Sequence, residues 1–168
     1  MTPAIDYLDK HGIEYRVLRY QPNAGGAAGM DAASKLGLNP DQVLKTLIVA
    51  LEGKSGERGL AVAIIPAATG LRLSALAKAA GARRAMMAEP AKAERATGYV
   101  VGGISPFGQR RALPTYLDSL AIAFDRIFVN GGRRGMMLEL DASDLRKACA
   151  ATVSDITSAT SPPLRGSR

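Results

Sequence analysis

The sequence predicts an α+β domain, and three observations carry that class. Val43–Leu51 and Gly59–Pro66 are apolar runs separated by the polar stretch Glu52–Arg58, the pattern of a long hairpin. Shorter runs follow at Leu113–Leu117, Ile127–Val129 and Met136–Leu140, with the turn residues Asn130-Gly131-Gly132 between the last two. The helical segments between them are too short and too irregularly placed for a regular βαβ series.

Thr2 followed by Pro3 reads as an N-cap and first helical residue; Ile5 and Leu8 give the helix its apolar stripe and Gly12 ends it. Glu14–Tyr20, rich in Tyr, Val and Leu, is a strand. Gln21–Met30, with three glycines, is a flexible loop, and Asp31–Leu36 is a helix stopped by Gly37. Asn39-Pro40 starts a further helical turn before the hairpin. Ser74–Ala80 is an alanine-rich helix capped by Gly81, Arg83–Met87 a short strand, and Glu89–Thr97 a helix with Pro90 in its first turn and Gly98 at its end. Tyr99–Val101 reads as a short strand running into a glycine loop. Asp141–Ala150 is a capped helix and Val153–Ile156 an edge strand. The expected organisation is one domain over residues 1–157 and a loose tail over 158–168, where apolar periodicity ends.

The chain has 168 residues, 47% of them hydrophobic, enough for one packed core. No apolar run is long enough to span a bilayer, and the N-terminus lacks the basic start and apolar block of a signal peptide. A single cysteine, Cys149, forms no internal disulfide, which fits a reducing cytoplasm. The formal charge of +7 favours an acidic partner, nucleic acid above all. Arginine pairs at Arg83-Arg84, Arg110-Arg111 and Arg133-Arg134 suit a phosphate groove, though such pairs also occur as scattered surface charge. With 5% aromatics and no tryptophan, a base-stacking platform is poorly supported.

Several chemistries are excluded. The only histidine, His11, stands at the end of the first helix, a capping position, so Ser-His-Asp and Cys-His mechanisms lack their base. One histidine and one cysteine cannot form the usual zinc site, and neither a Walker A nor a dinucleotide fingerprint is present. Catalysis by position, by backbone donors and by one cation remains. The candidate donors lie in Gly98–Arg111, where Gly102, Gly103 and Gly108 let backbone approach a ligand and Pro106 stiffens the loop, although the same composition also suits a plain glycine-rich turn between two strands. The cation is Lys45, which strand alternation places on the face of Val43, Leu47 and Val49. A lysine there needs a partner or the mouth of a cavity, unless it snorkels to water.

From about Thr2 to Ile156 the chain resembles the YbaK/EbsC family of aminoacyl-tRNA deacylases, relatives of the editing domain of bacterial prolyl-tRNA synthetases. The segments that carry the resemblance are Leu36–Val43 leading into Lys45-Thr46-Leu47, Ala61–Ala63, Thr97–Tyr99, Val101–Pro106 with Gly108-Gln109 and Leu113-Pro114, and Gly131–Gly135 with Glu139-Leu140. Their order and spacing are specific, and the similarity is greatest to the Cys-tRNA(Pro) deacylase branch. The resemblance implies a mixed, partly barrel-like β-sheet surrounded by short helices. It also implies a cytoplasmic enzyme without metal or cofactor that hydrolyses a wrong amino acid from tRNA(Pro), with prolyl-tRNA synthetase as a second partner. Lys45, Gly102 and Gly103 are then the catalytic set, the glycines holding the ester and its developing oxyanion. Tyr20, Ile104, Ser105, Pro106 and Met137 are the substrate-binding set, and Arg110, Arg111, Arg133 and Arg134 face tRNA. Two departures bear on specificity: Ala27-Ala28-Gly29-Met30 lacks the phenylalanine usual in that branch, and Met137 replaces a frequent aspartate. The alternatives are a deacylase for a 2-aminobutyryl-, alanyl- or seryl-tRNA, a non-catalytic acceptor-end binding module, and an unrelated basic nucleic-acid-binding domain.

Overall fold

The computed structural model describes residues 1–158. Helix α1 (Pro3–Lys10) begins as the sequence requires: Thr2 Oγ1 accepts from Ile5 N–H at 3.3 Å, and the same hydroxyl donates to Gly131 O at 2.6 Å. Its end is the predicted histidine cap, with His11 Nδ1 2.9 Å from Tyr7 O and the two rings stacked at 4.0 Å. Then follow β1 (Arg16–Arg19), α2 (Ala28–Leu36), β2 (Leu44–Glu52), β3 (Arg58–Pro66), α3 (Leu73–Ala79), β4 (Arg84–Met87) and α4 (Pro90–Thr97). A long loop leads to β5 (Thr115–Asp118), a 3-10 turn (Ser119–Ala123), β6 (Arg126–Asn130), β7 (Met136–Asp141), α5 (Ala142–Ala148) and β8 (Thr152–Ser154).

Two sheets result, one in the order β1-β7-β6 and one in the order β4-β2-β3-β5-β8. The β2–β3 hairpin is the long one predicted, paired from Leu44↔Pro66 to Glu52↔Arg58. Beyond it β3–β5 and β5–β8 are parallel, and β8 is the edge strand. The sheets meet at a bridge between Val43 and Phe128, where Phe128 N–H donates to Gln42 O at 2.9 Å. That seam rolls the strands into the expected partly barrel-like form, but the barrel is not closed.

Alternation along β2 and β3 supplies two buried faces. Leu44, Ile48, Val62 and Ile64 pack with Ile5 and Leu8 of α1, with Ile127, Leu138 and Leu140, and with Leu145 of α5. On the opposite face Val49, Ala63 and Ile65 are covered by Leu76 and Ala77 of α3. A third, small cluster seats Ala32 and Ala33 of α2 on Val43, Ala67, Phe128 and Met137. Asp118 is fully buried; its carboxylate accepts from Leu120 N–H at 3.0 Å and Ile156 N–H at 2.9 Å, tying the 3-10 turn to the chain after β8. No helix among the described residues is long and apolar enough to cross a membrane.

Three elements differ from expectation. Helix α2 starts at Ala28, three residues before Asp31, because Asp31 does not act as a cap: it accepts from Asn23 N–H at 2.8 Å and pairs with Lys35 at 3.3 Å. Tyr99–Val101 is not a strand. Gly98 ends α4 in the left-handed conformation, Tyr99 turns into the core with its hydroxyl donating to Phe107 O at 2.6 Å, and Val101 N–H donates to Glu94 Oε2 at 2.9 Å. Side chains thus satisfy the groups a neighbouring strand would have taken. Asn39-Pro40 makes a single turn closed by Gln42 N–H on Asn39 O, without a helix. Of the expected tail, Ser158 is described, its N–H on Gly70 O at 2.8 Å, and 159–168 lie outside the described residues.

Candidate active site

Strand β4 covers only part of β2, and the site begins where that pairing stops. β4 pairs with Val49–Glu52, and one further bond joins Ala88 N–H to Ile48 O at 3.1 Å. Pro90, which has no N–H, then turns the chain into α4. Leu44–Leu47 therefore keep an uncovered edge. The gap is walled by the start of α2, by α4, by the glycine loop and by Met137, and it encloses a cavity of ≈ 290 Å³. Its walls are largely apolar: Ala27, Ala28, Gly29, Met30, Ala67, Ala88, Ala93 and Ile104 among them.

Lys45 stands in this cavity, half-buried, with no ion pair or hydrogen bond among the described residues. Burial lowers its pKa, since the ammonium loses water and gains no counter-charge. Thr46, which the sequence reading passed over, is the second polar group: its Oγ1 is buried and unpartnered. Strand alternation also aims the Thr46 N–H and C=O toward the open edge, as Ile48 O is aimed at Ala88. A signal was present, because alternation puts Thr46 with Leu44 and Ile48, where a hydroxyl has no apolar reason to be. Asn130, also missed, lines the cavity and fixes the loop: its Nδ2 donates to Gly102 O at 3.4 Å and its Oδ1 accepts from Gly132 N–H at 2.6 Å.

The structure brings Lys45, Gly102, Ile104 and Met137 into the one cavity. The N–H groups of Gly102 and Ile104 make no hydrogen bond among the described residues. Gly103 is placed differently. Its N–H donates to Val100 O at 2.7 Å, so it is not available to an oxyanion. A Cβ at Gly103 would stand 2.9 Å from Arg133 Cα and 3.1 Å from Arg134 N, so this glycine serves close packing of two backbones. Tyr20 lies just behind the lining, its hydroxyl 3.5 Å from Ala28 O and its pKa raised chiefly by burial. Ser105 is fully buried with Oγ accepting from Phe107 N–H, and Pro106 lines a separate depression beside Tyr7 and Cys149.

The arginine pairs diverge. Arg134 Nη2 donates to Asn23 O at 3.1 Å and Gly25 O at 3.3 Å, strapping the loop before α2 to the β6–β7 turn. Arg133 is exposed, Arg110 packs on Gly98, and Arg111 lines a groove on the far side of α4. Cys149 is held by its surroundings as a thiol, burial pushing its pKa up to about 12. Among the described residues no three His, Cys, Asp or Glu side chains gather into a metal-binding group.

An apolar cavity with one desolvated cation, an orphaned hydroxyl and free backbone donors suits a small acyl group and the oxygen of its ester. Comparison with known proteins agrees in kind. The family model described as "Aminoacyl-tRNA editing domain" matches residues 25–148. A protein of Enterococcus faecalis named "Putative Cys-tRNA(Pro)/Cys-tRNA(Cys) deacylase EbsC" is 30% identical over 139 residues, 83% of this chain and 82% of that protein. Among solved structures, "a putative trans-editing enzyme for prolyl tRNA synthetase" has TM-score 0.79 and 22% identity, over 92% of this chain and 94% of that one. The hypothetical protein APE2540 has TM-score 0.79 and 24% identity, over 92% and 99%. At those identities the two structures show a shared fold; the family model, spanning most of the chain, and the EbsC match show more, and on them the chain belongs to the aminoacyl-tRNA editing and deacylase family.

Proposed function

We propose that this protein removes cysteine from mischarged tRNA(Pro) by cleaving the ester at the tRNA 3′ end. The observation that carries the reading is the partnerless Lys45 in an apolar cavity whose remaining polar groups, Thr46 and the Gly102 N–H, are also unengaged. Unsatisfied polar groups in a cavity are costly unless a ligand completes them. Lys45 orients the terminal adenosine or its phosphate as a point charge, and the Gly102 and Ile104 N–H groups receive the oxygen that gains charge. Such donors are worth several kcal/mol of barrier reduction when preorganised. Gly103 supports the loop from behind.

No histidine or carboxylate lines the cavity, which favours attack by the substrate's own thiol. Its sulfur bonds to the carbonyl carbon, the ester C–O bond breaks, and the ribose oxygen takes the thiol proton. Water then opens the thiolactone. No step is routed through a metal or cofactor. A second reading, 2-aminobutyrate or alanine as the acyl group, is favoured by the apolar lining at Gly29 and Met137. Deacylation of tRNA(Pro) charged with cysteine, 2-aminobutyrate, alanine, serine or proline decides. Cysteine far ahead of 2-aminobutyrate supports thiol attack; equal rates on the two overturn it, because a pocket selecting by shape barely separates them. Release of none of the five, with tRNA still bound, would make the chain a binding module.

A further inference from the structure

The outer side of α4 carries a second feature. A groove of ≈ 490 Å³ runs between β4, the β2–β3 hairpin and α4, lined by Arg58, Arg84, Lys92, Arg95 and Arg111 over a floor that includes Ala50, Leu60 and Met86. These five cations come from the start of β3, from β4, from α4 and from the loop before β5. The fold, rather than any basic run in the sequence, gathers them. Arg58, Lys92, Arg95 and Arg111 are exposed and make no ion pair or side-chain hydrogen bond among the described residues. The one carboxylate in the groove, Glu52, is held by Arg83 and Arg84 at 2.8 Å each, which lowers its pKa. It therefore neutralises none of the other four.

The groove and the catalytic cavity share a wall. Pro90 and Ala93 of α4 line the cavity while Lys92, Arg95 and Ala96 line the groove, and on β4 Met87 lines the first and Met86 the second. One helix separates them, a width of about 10 Å. We propose that this groove docks the phosphodiester backbone of the substrate tRNA's acceptor stem, holding the duplex while its 3′ end passes over α4 into the cavity. The inference rests on the deacylase reading given above. Positive charge without aromatic side chains fits contact through phosphates, which position a nucleic acid without reading its bases. An acidic protein would be drawn by the same charge; the experiment separates the two.

The test pairs two substrates and one binding measurement, on Lys92→Ala/Arg95→Ala and, separately, Arg58→Ala/Arg111→Ala. All four side chains are exposed, so the fold should tolerate both variants. Binding of uncharged tRNA is measured between 50 and 200 mM salt; each phosphate contact contributes about 0.9 to the slope of log affinity on log salt. Losing two contacts should reduce the slope by about 2, so the affinity gap to wild type narrows about tenfold across that range. In parallel, kcat/KM should fall on cysteinyl-tRNA(Pro) and stay unchanged on cysteinyl-adenosine, which cannot reach the groove. Unchanged tRNA affinity and slope in both variants would overturn the proposal and leave the groove to a protein. Equal loss on both substrates would also overturn it. If wild type cleaves neither substrate the deacylase reading fails, and the salt slopes still decide the groove.

Discussion

Gly102→Ala separates two costs that the structure assigns to different atoms. Gly102 has φ +94°, where an alanine is strained by about 1–2 kcal/mol. Its new methyl would also run into the Arg134 guanidinium. That group ends a flexible side chain, yet two carbonyls, Asn23 O and Gly25 O, hold it in place. Hydrogen bonds from a charged donor contribute about 1.5–3 kcal/mol, so displacing Arg134 costs up to that much again. The single variant should lose about 3–4 kcal/mol of stability. Arg134→Ala alone should lose about 1.5–3 kcal/mol. In the double variant the methyl has nothing to displace, so the losses should fall short of additivity by about 1–2 kcal/mol. Urea denaturation of the four proteins measures this cycle. The same loop offers the Gly102 N–H, and a shift of about 1 Å there can cost about 10²-fold in rate, so Gly102→Ala should be slow in deacylation at temperatures where it is folded. Additive stability losses would show that the guanidinium does not rest against Gly102. A wild-type rate in the folded variant would remove the Gly102 N–H from the mechanism.

Lys45→Met keeps the apolar stem and deletes the charge; kcat/KM should fall about 10–100-fold, the worth of one charged hydrogen bond, in a deacylation assay. Burial lowers the Lys45 pKa from its ordinary 10.5, so between the lowered value and 10.5 the unfolded chain binds more protons than the folded one. The contribution of Lys45 to stability is then present above 10.5 and lost as pH falls through the folded-state value, and melts of wild type against Lys45→Met should diverge with that sign. Thr46→Val removes an orphaned hydroxyl without changing shape, so stability should hold or rise while turnover falls about tenfold; unchanged turnover would make Thr46 a wall only. Asp118→Asn keeps one acceptor for two N–H groups and should cost about 1–3 kcal/mol in thermal or urea melts with no change in rate.

Local chemistry determined much of this protein from its sequence. The Thr2-Pro3 cap, the His11 end of α1, and the Pro90 start and Gly98 end of α4 rest on contacts within a few residues, the β2–β3 hairpin rests on two adjacent apolar runs around one polar turn, and all appear as read. Lys45 and Gly102 were legible for the same reason, a charge in an apolar strand and a glycine at a turn. Tertiary structure decided what those residues meet. That β4 stops at Met87 and leaves the β2 edge open depends on pairings between distant segments, and so does the unpartnered state of Thr46. Gly103 looks like Gly102 in the sequence, yet it turns its N–H to Val100 because the β6–β7 turn at Arg133 packs against it. Neighbouring arginines in the chain, Arg133 and Arg134 or Arg110 and Arg111, part company, while Arg58, Lys92, Arg95 and Arg111 converge from three segments. Sequence periodicity reports which face a side chain occupies; only long-range backbone pairing determines which faces meet.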